Sequence, residues 1–265
     1  MADSRPVGVF DSGVGGLSVL REIKRLLPSE DLIYFADSAY VPYGSRSAAW
    51  IRERSEAIVK FLVGEGAKAV VVACNTASVA ALSHLRERFA LPIVGMVPAV
   101  KPAVAATRSK RVGVLATETT INGDSFAELL QRFADGVAVQ TVVGAGLVPL
   151  VETGDVSSPR AESMVRGYIE PLVEQGADVI VLGCTHYPFL RPLIEGIAGP
   201  EVTVLDPAEA VARQTRRVLA QADLLNARSE RGREVFYTSG DERAFRRVAS
   251  HLLGREVAVL SAAGA

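Results

Sequence analysis

The chain has 265 residues, of which 49% are hydrophobic, with a formal net charge of −1 and two cysteines. That length suits one large domain or two modest ones, and a near-zero charge without a basic run argues against nucleic acid as the main partner. The longest apolar runs, such as Ala69–Cys74, are too short to cross a bilayer. The opening MADSRPVGVF has no signal-peptide core. The expectation is a soluble, cytoplasmic protein with no membrane partner, whose two cysteines are free thiols.

In chain order, strand-like apolar runs alternate with amphipathic helices. Strands are predicted at Val7–Phe10, Leu32–Ala36, Ala69–Ala73, Val112–Ala116, Val137–Val142, Val179–Gly183 and Val202–Leu205. The helices between them include Ala48–Gly64, Ala77–Phe89, Gly123–Phe133, Pro159–Glu174 and Ala208–Leu219. Segments such as AVVVA and VIVLG are apolar on both faces, as parallel strands covered by helices on both sides must be. The fold class is therefore α/β, doubly wound, with mainly parallel sheets.

No linker or low-complexity stretch divides the chain; repetition does. PVGVFDS (Pro6–Ser12) resembles RVGVLAT (Arg111–Thr117), and GAKAVVVACNT (Gly66–Thr76) aligns without a gap on GADVIVLGCTH (Gly176–His186). Cys74 and Cys184 fall on the same position, and Leu62-Val63 recurs as Leu172-Val173. Two related lobes follow. The expected division is 1–97 plus 207–265 for the lobe carrying Cys74 and 98–206 for the lobe carrying Cys184, with VFYTSGDERAFRRVASHLLG returning to the first.

Ligands of open α/β sheets bind beyond the carboxyl ends of the strands. Asp11-Ser12, Asp37-Ser38, Cys74-Asn75-Thr76 and Cys184-Thr185-His186 all stand there. Taken singly, each has a plain structural reading: small polar residues cap helices, and a lone cysteine is usually a small buried hydrophobe. The repeat changes the balance for the cysteines, and a helix N-terminus lowers a thiol pKa from about 8.5 toward neutrality. DSGVGG is a weak nucleotide signal, because Ser18 stands where the third glycine of GxGxxG belongs. No second ligand stands at metal spacing beside either cysteine. Glu152 in LVETG reads as a solvated helix-end carboxylate, and YVPYGSRS (Tyr40–Ser47) as an ordered loop that either covers the site or connects its strands.

Two thiols on facing lobes suit a racemase that works without a cofactor, with one base removing the Cα proton and an acid on the opposite face returning one. Two other readings stay open. One is a hydrolase or acyl transferase with Cys184 as nucleophile and His186 as base, and the other is a non-catalytic two-lobed binding protein.

The segments FDSGVGGLSVL, YFADSAYVPYGSRS, VVACNTASVAAL, GCTHYPFL and FYTSGD together span most of the chain. In them the chain resembles the glutamate racemases of the cofactor-independent aspartate/glutamate racemase family. Cys-Thr-His within GCTHYP is similar to the glutamate-specific members, whereas aspartate-specific ones typically carry Cys-Thr-Glu. The resemblance implies an isomerase that interconverts L- and D-glutamate for peptidoglycan synthesis, without pyridoxal phosphate or metal. It implies that Cys184 takes the proton from the L-enantiomer and Cys74 from the D-enantiomer. It also implies that Asp11 assists Cys74, and that Glu152 and His186 assist Cys184. Substrate contacts are implied for Asp11, Ser12, Tyr43, Gly44, Asn75, Thr76, Thr185 and His186, and a homodimer is a common assembly. No arginine lies in the matched segments apart from Arg46. Hydroxyls, Asn75 and backbone amides are therefore expected to hold the distal carboxylate.

Overall fold

A computed structural model describes residues 3–262. Its strands are β1 (Val7–Asp11), β2 (Leu32–Ala36), β3 (Ala69–Val72), β4 (Ile93–Val94), β5 (Arg111–Ala116), β6 (Ala138–Val143), β7 (Val179–Gly183), β8 (Thr203–Leu205), β9 (Glu234–Thr238) and β10 (Val259–Ser261). They form a six-stranded sheet, order β10-β9-β2-β1-β3-β4, and a four-stranded sheet, order β6-β5-β7-β8. Every pairing is parallel. Helices joining parallel strands must cross over the sheet, which explains why β1, β2, β3 and β7 are buried along their whole length.

The expected strands appear with small shifts that have local causes. Val137 and Val202 stay outside their strands because their N–H groups bond back to Ala134 and Gly199 in the preceding turns. Pairing then starts at Ala138 opposite Arg111 and at Thr203 opposite Val179. The short edge strands β4 and β10 had no pattern long enough to announce them. The helix Ala208–Gln221 follows β8 and packs on the helix Leu17–Leu26, and β9 pairs with β2 in the first sheet.

The repeat is visible in backbone detail. The helix Ala48–Gly64 ends with Gly66 at φ +84 and the helix Pro159–Glu174 with Gly176 at φ +85. In the first, Ala67 N–H bonds Leu62 and Gly66 N–H bonds Val63. In the second, Ala177 bonds Leu172 and Gly176 bonds Val173. This pair of bonds is the Schellman ending, which needs a left-handed residue that glycine alone adopts freely. The recurring Leu-Val and Gly-Ala are thus one device used twice to stop a helix and launch a buried strand toward a cysteine. One apolar cluster includes residues from both sheets, from Val9 and Val71 to Ile180 and Leu182. Among the described residues, no helix is long and apolar enough to cross a membrane.

Candidate active site

The carboxyl ends of β1, β3, β5 and β7 meet at a narrow, nearly closed cavity of about 20 Å³. Its lining includes Ser12, Tyr43, Gly44, Cys74, Asn75, Thr76, Cys184, Thr185 and His186, and adds Pro42, Thr117 and Val148. Both sulfurs therefore face one space, and their residues are only 5% and 6% exposed. Asn75 is buried, and neither Oδ1 nor Nδ2 has a hydrogen-bond partner among the described residues. Buried amides are rarely left unpaired in this way unless a ligand or water completes them.

The two cysteines are framed differently. Cys74 is the N-cap of the helix Asn75–Arg88, and its Sγ accepts the Ala77 N–H at 3.5 Å. That helix starts two residues earlier than expected, which puts Asn75 and Thr76 in its first turn. Ser12 Oγ lies 4.0 Å from the same sulfur. Burial pushes the Cys74 thiol pKa well up, the Asp11 charge adds to this, and the Ala77 bond offsets only part. The expectation that a helix N-terminus makes this thiolate available near neutrality is therefore reversed, because desolvation outweighs the helix end.

Cys184 follows β7 and is succeeded by a 3₁₀ turn, Tyr187–Leu190, before the helix Arg191–Ala198 begins. Its Sγ lies 3.7 Å from His186 Nδ1, and His186 Nε2 lies 2.6 Å from Glu152 Oε1. Burial acts to lower the His186 pKa, but hydrogen bonds to Cys184 and Glu152 overcome it and hold the imidazole pKa well above its ordinary value. Glu152 is thus no free helix-end carboxylate. It reaches Cys184 through His186, and its Oε1 also accepts the Val14 N–H at 2.8 Å.

Asp11, the last residue of β1, is fully buried beside the cavity. It accepts the Gly13 N–H at 2.9 Å and the Thr185 hydroxyl at 3.2 Å. Burial raises its pKa, against the opposing charge of His186 and the Gly13 bond. No hydrogen bond joins Asp11 to Cys74 among the described residues, so the carboxylate acts on that sulfur through space. Gly13 and Gly15 of DSGVGG serve the approach of the two lobes. A Cβ at Gly13 would overlap Glu152 Oε1, and one at Gly15 would overlap His186 Nδ1.

On the far side of the cavity, Thr76 and Thr117 hydroxyls meet at 3.0 Å, and Thr119 donates to the Gly44 carbonyl at 2.8 Å. Sequence reasoning passed over Thr117, although the repeat makes it the counterpart of Ser12. Val148 and Pro42 carried no such signal. The Tyr40–Ser47 loop does more than connect, since Pro42, Tyr43 and Gly44 line the cavity. The Tyr43 phenol turns away to Asp37 at 2.5 Å, so Tyr43 does not offer its hydroxyl freely to the cavity. No arginine is among the lining residues.

The chain as a whole is similar to known proteins. The profile of the Asp/Glu/hydantoin racemases matches residues 7–215. The chain belongs to that family. It is 55% identical over 246 residues to a glutamate racemase of Pseudomonas putida, covering 92% of each. Among solved structures, it resembles Escherichia coli glutamate racemase in complex with L-glutamate and the activator UDP-MurNAc-Ala (TM-score 0.85, 34% identity, 97% of each chain). It also resembles the Francisella tularensis glutamate racemase in complex with D-glutamate (TM-score 0.84, 32% identity, 98% of this chain and 97% of the other). Membership makes this chain an amino-acid racemase and leaves the roles of individual side chains to be argued from the geometry.

Proposed function

We propose that this chain interconverts L- and D-glutamate by proton transfer at Cα between two thiols, supplying D-glutamate for peptidoglycan synthesis. The observation that carries this reading is that Cys74 and Cys184 line one cavity from separate lobes. Its relatives solved with L- and D-glutamate support the substrate.

In the L-to-D direction, the Cys184 thiolate takes the Cα proton on one face, while the His186 imidazole, held by Glu152, offsets the charge of the sulfur. The electron pair left on Cα delocalises into the α-carboxylate. Hydrogen-bond donors facing that carboxylate favour this state. Cys74 then gives its S–H proton to the opposite face of Cα. Its raised pKa suits that step, because it keeps the thiol protonated until the carbanion forms. The return reaction starts from the opposite protonation states. Such a cycle needs both sulfurs reduced and free, as they are here, which favours the cytoplasm as its compartment.

Turnover in deuterated water tests the reading. Wild type should gain one deuterium at Cα with each inversion. Cys74→Ala and Cys184→Ala should each lose racemisation by at least about 10³-fold, since positioned acid–base groups are typically worth ~10²–10⁴ each. Cys184→Ala should retain slow exchange with D-glutamate only, and Cys74→Ala with L-glutamate only. Inversion persisting in either variant at near wild-type rate would overturn the two-thiol reading.

A further inference from the structure

Asp37 is a fully buried carboxylate at the end of β2, and the proton transfers above do not use it. Its N–H bonds the Asp11 carbonyl at 3.0 Å, so it starts from the same strand ends as the cavity. Both of its oxygens are engaged. Arg54 Nε donates to Oδ2 at 2.8 Å and Nη2 to Oδ1 at 2.6 Å, while the Tyr43 hydroxyl donates to Oδ2 at 2.5 Å. A carboxylate so occupied offers nothing to a substrate proton. Yet burying a charged pair is expensive unless its partners are well placed, and it is weak evidence for stability alone.

What the pair holds is the loop that lines the cavity. Arg54 lies over the Tyr40 ring at 4.7 Å, and Tyr43 meets Trp50 edge-on at 5.5 Å. Arg46 lies over Trp50 at 5.2 Å. Both Arg54 and Trp50 project from the helix Ala48–Gly64. The loop is thus fastened within its own lobe, whereas across the cavity Thr119 ties it to the other lobe at the Gly44 carbonyl. Admission of substrate to so closed a space requires the lobes to part, which releases the second tie and leaves the first.

We propose that Asp37 and Arg54 are positioning residues that hold Tyr43 and Gly44 at the height where their backbone groups meet the substrate. This rests on the glutamate reading of the cavity. The fork is planar and bidentate, so lysine at position 54 cannot reproduce it fully.

The test measures amide hydrogen exchange and steady-state kinetics together, on wild type, Asp37→Asn, Arg54→Lys and Arg54→Ala. In Asp37→Asn, the amides of residues 41 and 43–46 should exchange about tenfold faster or more, with β1 and β3 unchanged. KM for both enantiomers should rise about tenfold, with kcat within about twofold and the Cα deuterium isotope effect unaltered. Arg54→Lys should restore part of the KM lost in Arg54→Ala. A KM that stays at the wild-type value, or faster exchange spread over the whole first sheet, overturns the proposal in favour of a purely stabilising pair. A fall in kcat with an altered isotope effect overturns it by making Asp37 a participant in proton transfer. Should wild type turn over no glutamate, the reading of the cavity falls, and the exchange measurement still decides the fastening.

Discussion

The Cys74 and Cys184 turns are copies of one design whose surroundings have diverged. Around Cys74 the partners are a backbone N–H and a distant serine hydroxyl, and burial with the Asp11 charge holds the thiol protonated. Around Cys184 an imidazole with a raised pKa connects the sulfur to a carboxylate. Backbone symmetry brings two sulfurs to one cavity, but side chains that do not repeat surround them. Thr76 stands where the other copy has His186, and Asn75 where it has Thr185. Position and reactivity are therefore encoded separately.

Three substitutions sharpen or break this contrast. The largest effect is expected from His186→Asn, which removes the relay from one side only. Turnover should fall about 10²-fold. Its pH signature has a definite sign: a raised folded pKa adds stability that is fully present below the ordinary value of 6.5 and is lost as pH rises through the folded value. Urea unfolding between about pH 5 and about pH 9 should show that loss in wild type and a flatter profile in the variant.

Next is Asp11→Asn. Its raised folded pKa means that stability falls as pH climbs from 3.8 through the folded value, leaving a deficit at neutrality. The amide keeps partners for Gly13 N–H and Thr185, so the variant should be more stable at pH 7 by about 1 kcal/mol while turning over more slowly. Denaturant midpoints and rates measured on the same preparation check both halves. The smallest effect is expected from Ser12→Ala, because its 4.0 Å contact with the sulfur is long: a few-fold loss in turnover at most. If its rate falls as far as that of His186→Asn, the Cys74 side is not the simpler one.

Much of the frame was legible because it depends on short-range pattern. AVVVA and VIVLG can be covered only as central parallel strands, and the Leu-Val…Gly-Ala repeat carries its helix ending within six residues. Ser12, Asn75, Thr76, Thr185 and His186 were findable from strand ends alone. Thr117 was within reach of the same repeat, had its likeness to Ser12 been followed. Contacts made across the lobes were not legible. Asp11 meets Thr185, and Val14 meets Glu152, over separations that leave no local trace. The balance at the Cys74 thiol was not legible either, since a helix end shows in sequence but the depth of burial does not.

The imidazole–carboxylate pair on one side only has a consequence for rates. Mirror-image amino acids have equal free energies in water, so their equilibrium constant is unity and the ratio of kcat to KM must agree in the two directions. Lopsided charge around the sulfurs cannot drive the reaction one way. It can only trade affinity against speed, so that whichever enantiomer is held more tightly is also the one converted more slowly.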